Sequence, residues 1–221
     1  MNKNLLVFAK GTPNGGGSGV RMLIKAVMEE ELKANIVGVV SEHENGGARI
    51  IADGSNTPFY LFQGPWTAER YQELVRMSGA EFVACSGWLK PVVGLSPAKT
   101  FNNHPGPLPR FGGKGMYGHH VHQAVLKAFR LGEIDRTQMC MHFVTERYDE
   151  GPVIFRADVE IDPHGTTDTV DTLQARVLET EHYWQWRVTQ RVLNGEIHWD
   201  GKDPSTLVGY SEITLQPKDV D

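Results

Sequence analysis

Apolar and polar positions follow one rhythm over the first hundred residues and another over the second hundred. Leu5-Leu-Val-Phe-Ala9 is an unbroken apolar run closed by Gly11, the pattern of a parallel strand buried on both faces. Val20, Leu23, Ile24, Val27 and Met28 then recur at helical spacing, and Ile36-Val-Gly-Val-Val40 supplies a second strand. Asn45 to Asp53 suits a short helix and Phe59-Tyr-Leu-Phe62 a third strand. Thr67 is placed to cap a helix reaching Ser78, and Gly79 to end it. Phe82-Val-Ala-Cys85 reads as a fourth buried strand and Lys99-Thr-Phe101 as a fifth. Alternating strands and helices predict right-handed βαβ crossovers and an α/β fold, with helices on both faces of an open, mostly parallel, Rossmann-like sheet.

After residue 118 the alternation stops. Gly118 to Arg130 reads as a helix with Val121, Val125, Leu126 and Phe129 on one side. Met139 to Thr145 and Val153 to Ile161 are successive strands, most simply an antiparallel pair at the sheet edge. A long final helix is expected from about Asp168 to Asn194, stopped by Gly195, with Val170, Leu173, Val177, Trp184, Val188 and Val192 as its apolar stripe. The segment beyond Trp199 is polar and is expected to be loosely attached. The expected organisation is one domain over residues 1–200, with an N-terminal half over about 1–100, a C-terminal half over about 101–200, and a tail over 201–221.

Composition narrows the partners. A hydrophobic content of 40% and a charged content of 22% are ordinary for a globular chain, and a formal net charge of −5 argues against a general nucleic-acid surface. Cys85 and Cys140 lie in apolar runs and give no disulfide framework, so a cytoplasmic location is expected. No apolar run approaches the roughly 18 to 20 residues that span a bilayer, and the N-terminus lacks a signal-peptide pattern.

Three segments carry candidate chemistry. Asn102-Asn-His-Pro-Gly-Pro-Leu-Pro109 places an amide and an imidazole two residues apart before three prolines. Proline restrains itself and its predecessor, so His104 is expected in a rigid, non-helical turn. An amide can donate to a developing oxyanion and an imidazole can move a proton near neutral pH. A proline-rich surface connection would look the same, and both readings stand on this segment alone. The second segment, Gly11-Thr-Pro-Asn-Gly-Gly-Gly-Ser-Gly19, follows the first strand, where backbone N–H groups and a helix N-terminus form an anion site. It matches neither the triphosphate loop nor the dinucleotide fingerprint, and suits a small phosphomonoester. Third, Asp149 precedes Gly151 and Pro152 in Thr145-Glu-Arg-Tyr-Asp-Glu-Gly-Pro152, where a carboxylate is common as a turn former. Brought against His104, it would orient the imidazole and relay a proton.

Asn102-Asn103-His104-Pro105 together with Asp149-Glu150-Gly151-Pro152 resembles the paired motifs of the folate-dependent formyltransferases. The order of motifs from the first strand to the final helix is similar to that of the glycinamide ribonucleotide (phosphoribosylglycinamide) formyltransferases. The resemblance implies Asn102, His104 and Asp149 as catalytic trio, Gly17, Ser18 and Gly19 as phosphate loop, and Glu181, in Glu181-His182, as ligand of ribose hydroxyls. It also implies that Trp88, Leu89 and Lys90 line a folate pocket, with Val144, Thr145, Glu146, Arg147 and Tyr148 beside the pterin. His142 falls on a family position that a packed strand histidine explains equally well. The chain departs from the family in the expanded phosphate loop, in Gly19 where asparagine is usual, and in the glycine-rich segment Gly112 to Gly118, where Lys114 is a candidate anion contact.

The implied reaction uses 10-formyltetrahydrofolate as co-substrate and a small phosphoribosyl amine as acceptor, with Asn102 and protonated His104 stabilising the oxyanion. The expected protein is a monomer or homodimer that binds neither nucleic acid nor membrane. No metal is expected, because His119, His120 and His122 lack a completing cysteine or carboxylate. A sugar-nucleotide N-formyltransferase is the nearest alternative. A folate- or nucleotide-binding module without catalysis is another. Methionyl-tRNA formylation is disfavoured because no basic C-terminal domain follows the final helix, and formyl-folate hydrolysis because the chain starts directly in its first strand.

Overall fold

The computed structural model describes residues 1–12, 15–162 and 168–214. Its main sheet has eight strands. They are β1 (Lys3–Ala9), β4 (Ala34–Ser41), β5 (Phe59–Leu61), β6 (Phe82–Ser86), β7 (Thr100–His104), β8 (Arg136–Phe143), β9 (Val153–Glu160) and β10 (Ser211–Ile213). The spatial order is β10-β9-β8-β7-β6-β1-β4-β5. Pairing is parallel from β5 across to β7, antiparallel at β7/β8 and β8/β9, and parallel again at β9/β10. The chain winds outward from β1 through β4 to β5, then crosses back over β1 to β6. Winding direction reverses between β1 and β6, and a doubly wound sheet opens its ligand crevice at the carboxyl ends of such strands.

The helices are α1 (Ser18–Met28), α2 (Gly47–Gly54), α3 (Ala68–Ser78), α4 (His119–Arg130) and α5 (Val170–Leu193). Strand pleating sorts the core into two layers. Leu5, Val7, Ala9, Phe101, Met139, Met141 and Phe143 pack beneath α1, α4 and α5. Leu6, Phe8, Val83 and Cys85 face Tyr71 of α3 together with Phe62 and Trp88.

Several expectations change in the structure. The Asn-x-His run is not a turn: β7 continues through His104, because β8 pairs with it from Phe101↔Phe143 to His104↔Cys140. The antiparallel pair is not the sheet edge, since the segment after Trp199 returns through a bridge between His198 and Val208 and adds β10 outside β9. That segment is tied down. Arg191 donates to Ser211 Oγ at 2.7 Å and to the Gly209 carbonyl at 3.0 Å. Thr67 precedes α3 without a side-chain cap, whereas Thr169 and Thr172 form a reciprocal capping box on α5. The expanded glycine loop folds back as a short antiparallel ladder, β2 (Gly11–Thr12) with β3 (Gly15–Gly16), while Pro13 and Asn14 lie outside the described residues.

A cavity with two faces at the carboxyl ends of β1, β6 and β7

A cavity of about 560 Å³ opens where the winding reverses. Its walls come from the loop after β1, the segment after β6, the end of β7, residues 113–118, the turn carrying Asp149, and the inner face of α5. The expected trio converges here. His104 is 3% exposed, with Nδ1 3.6 Å from Asp149 Oδ2. Its Nε2–H donates to the Phe111 carbonyl at 2.8 Å, so the turn after β7 sets the ring's orientation. Asn102 Nδ2 lies 3.1 Å from His142 Nε2, and that nitrogen lies 3.3 Å from Asp149 Oδ1. His142 Nδ1–H donates to the Phe143 carbonyl at 2.8 Å, which leaves Nε2 to accept from the Asn102 amide. One amide hydrogen is thereby used and the other remains for a ligand oxygen.

Charge in this cluster is set by burial against pairing. Burial pushes the His104 imidazole below its ordinary range, and the Asp149 carboxylate opposes that without reversing it. Burial also works against ionising Asp149. The neighbouring His142 and His104 imidazoles and the Gly113 N–H, which donates at 2.9 Å, together hold its carboxyl below the usual value. These shifts favour an ionised Asp149 and work against a proton on His104.

Gly17 precedes α1 in a left-handed conformation (φ 80), and no side chain caps the helix or places an acid in its first turn. The first N–H groups of α1 thus face the cavity beside Ser18. Gly19 is buried because a Cβ there would run into Ser86 Oγ and approach Gln185 Oε1. The space of the usual asparagine is filled from β6 and α5. Lys10 and Lys114 also border this end of the cavity.

The three residues after β6 divide their roles. Trp88 is buried, stacks on Phe62 with an interplanar angle of 11°, and donates its Nε1–H to Tyr71 Oη at 2.9 Å. Lys90 pairs with Glu42 at 2.7 Å and lies over the Trp66 ring. Leu89 lines the main cavity. A smaller cavity of about 50 Å³ adjoins it, bordered by Trp88, Lys90, Asn102, His142 and the run Val144, Thr145, Glu146, Arg147 and Tyr148.

Glu181 projects from α5 into the main cavity, and burial raises its carboxyl. Asn103 Nδ2 donates to its Oε1 at 3.2 Å. Residue type and spacing give Asn103 no role and leave His142 open, because both depend on which face of a strand meets which neighbour. His122 stands in sequence beside His119 and His120. Those rings diverge: His119 meets Asp171 at 3.5 Å, His120 meets the Tyr117 ring edge-on, and His122 lines the cavity at 2% exposure. Burial drives the His122 imidazole down to about 4, and among the described residues its Nδ1 has no hydrogen-bond partner. Among the described residues no group of three or more His, Cys, Asp or Glu side chains is arranged to hold a metal ion.

The family model described as formyl transferase matches residues 3–189. A chloroplastic phosphoribosylglycinamide formyltransferase of Arabidopsis thaliana is 32% identical over 208 residues, spanning 89% of this chain and 68% of that protein. The Bacillus subtilis phosphoribosylglycinamide formyltransferase is 27% identical over 202 residues, 86% of this chain and 95% of its own length. Glycinamide ribonucleotide transformylase 1 from Symbiobacterium toebii shares the fold with a TM-score of 0.77 at 21% identity, over 91% of this chain and 92% of that one.

Proposed function

We propose, because this chain belongs to the formyl transferase family, that it transfers the formyl group of 10-formyltetrahydrofolate to the amine of glycinamide ribonucleotide. The carrying observation is the linked set Asn102, His142, Asp149 and His104 at the junction of a large and a small cavity. In this reading the folate occupies the side of Trp88, Leu89, Lys90 and residues 144–148. The acceptor phosphate lies on Gly17, Ser18 and Gly19, and Glu181 takes the ribose.

The reaction exchanges one carbon–nitrogen bond for another. The neutral acceptor amine attacks the formyl carbon, and the carbonyl electron pair moves onto oxygen. Collapse then expels the folate nitrogen, which leaves carrying the proton lost by the amine. Asn102 offers its remaining amide hydrogen to the oxyanion, a fixed donor that needs no reorganisation. Burial works against a proton on His104 before substrate arrives. Negative charge building beside it, with Asp149 already ionised, favours a proton on Nδ1 during the reaction and its release afterwards. No metal is required for either step. Catalytic side chains drawn from one chain suit a monomer or a homodimer, and a small diffusible acceptor with two buried thiols suits a cytoplasmic reaction.

The test is direct. Incubation with 10-formyltetrahydrofolate and glycinamide ribonucleotide is expected to yield tetrahydrofolate and formylated product in equal amounts, with none from an amino-sugar nucleotide. Turnover with the sugar nucleotide alone would replace this acceptor. Folate binding without transfer to either amine would remove the enzymatic reading.

A further inference from the structure

Within Asn102-Asn103-His104 the side chains point two ways, because successive residues of a strand face opposite sides of the sheet. Asn102 lies opposite His142 in the ladder, and His104 shares its face. Asn103 shares the other face with Phe101, beneath α5, and reaches Glu181 there. Asn103 is 7% exposed and lines the main cavity beside Glu181. Its Nδ2 engages Glu181 Oε1 at 3.2 Å. Among the described residues no hydrogen bond engages Asn103 Oδ1 or Glu181 Oε2. The pair therefore presents two oxygen acceptors and holds one of them in place.

We propose that Asn103 is a specificity residue for the acceptor, forming with Glu181 a two-oxygen subsite that accepts hydrogen bonds from a vicinal diol. The inference rests on the proposed reaction for its natural ligand, a ribose, and adds a role for the central residue of the motif. Two adjacent hydroxyls donate to two acceptors held at the junction of β7 and α5. A sugar lacking one hydroxyl leaves a buried acceptor unsatisfied, the arrangement by which polar sites reject analogues. Asn103 also occupies one carboxylate oxygen, so Glu181 cannot turn away from the ligand.

Binding and kinetics test this separately. Calorimetry with ribose 5-phosphate and 2-deoxyribose 5-phosphate needs no turnover. Wild type is expected to favour the ribose compound by about tenfold or more, the size of one buried acceptor left unsatisfied. Asn103→Leu should reduce that preference to less than about threefold, and Asn103→Ser, which keeps a short donor and acceptor, should retain part of it. Equal binding of both sugars by wild type, or binding of neither, overturns the proposal even if formyl transfer is observed. In the transfer assay Asn103→Leu should raise the acceptor KM about 10- to 100-fold, with kcat and the folate KM changed less than about threefold. Combined with Glu181→Gln it should add little to the Glu181→Gln effect, as expected for one coupled unit. A fall in kcat with both KM values unchanged would instead make Asn103 a support for Asn102 and His104. No transfer by wild type alongside a clear ribose preference would fail the reaction and keep the subsite.

Discussion

Asp149 holds its carboxylate on a left-handed backbone (φ 57), a conformation that costs a non-glycine residue free energy and persists where surrounding contacts over-determine it. Here the Gly113 N–H and two imidazoles supply those contacts. Asp149→Asn keeps the shape and removes the charge that favours a proton on His104. Turnover is expected to fall about 100- to 1,000-fold, as it should for His104→Ala, with circular dichroism and thermal midpoint nearly unchanged. Wild-type turnover in both purified variants would refute the assignment. His122 allows a second measurement at this scale. Its folded-state value of about 4 lies below the ordinary 6.5, so the folded protein keeps the ring neutral while the unfolded chain accepts a proton. Stability is thus unaffected above about 6.5 and falls as pH drops from there toward 4. Burial lowers His104 and His182 as well, so they add to the loss. His122→Phe should lose less thermal midpoint than wild type between pH 7 and pH 5. An equal loss would show that His122 is not protected from protons. Asn102, His104 and Asp149 were legible as residues because their types and spacing state a chemistry. His142 and Asn103 were not, because strand parity becomes visible only when β7 is known to run through His104.

Among the elements, α5 does most to shape the cavity, and its start is well fastened. Thr169 accepts from the Thr172 N–H at 3.2 Å, and Arg176 pairs with Asp168 at 2.8 Å. Thr169→Ala is expected to cost about 1 kcal/mol in denaturant unfolding, and Thr67→Ala clearly less, since Thr67 makes no cap bond to α3. Equal losses would mean that helix ends here are held by packing alone. The two threonines are chemically alike, and in the structure each stands one residue ahead of its helix. Only the direction in which each side chain turns distinguishes them. The turn between β8 and β9 is constrained in a similar way. A Cβ at Gly151 would strike the Phe143 carbonyl, so glycine lets the chain pass closely enough to bring Asp149 back over His104.

At the scale of the whole molecule, the site lies at the switch point and the sheet ends lie away from it. Among the described residues, none beyond Glu181 lines the cavity. Truncation after Val208 removes β10 and the Arg191 contacts, and should lower the thermal midpoint by several degrees with little change in kcat. A large loss of turnover in the folded truncated protein would tie the edge strand to the site. No helix among the described residues is long and apolar enough to cross a membrane. Sequence by itself determined the alternation of strands and helices, the mostly parallel half of the sheet, the long last helix and the presence of an amide, an imidazole and a carboxylate in two polar motifs. Those properties follow from local periodicity, glycine and proline placement and side-chain chemistry, all of which are written along the chain. Tertiary structure alone decided the place of β10, the burial that works against a proton on His104, the linkage of His142 to Asn102 and Asp149, and the opposite outlooks of Asn102 and Asn103. Each of these depends on what a residue meets across the sheet and on how much water remains there, and neither is encoded in its neighbours along the chain.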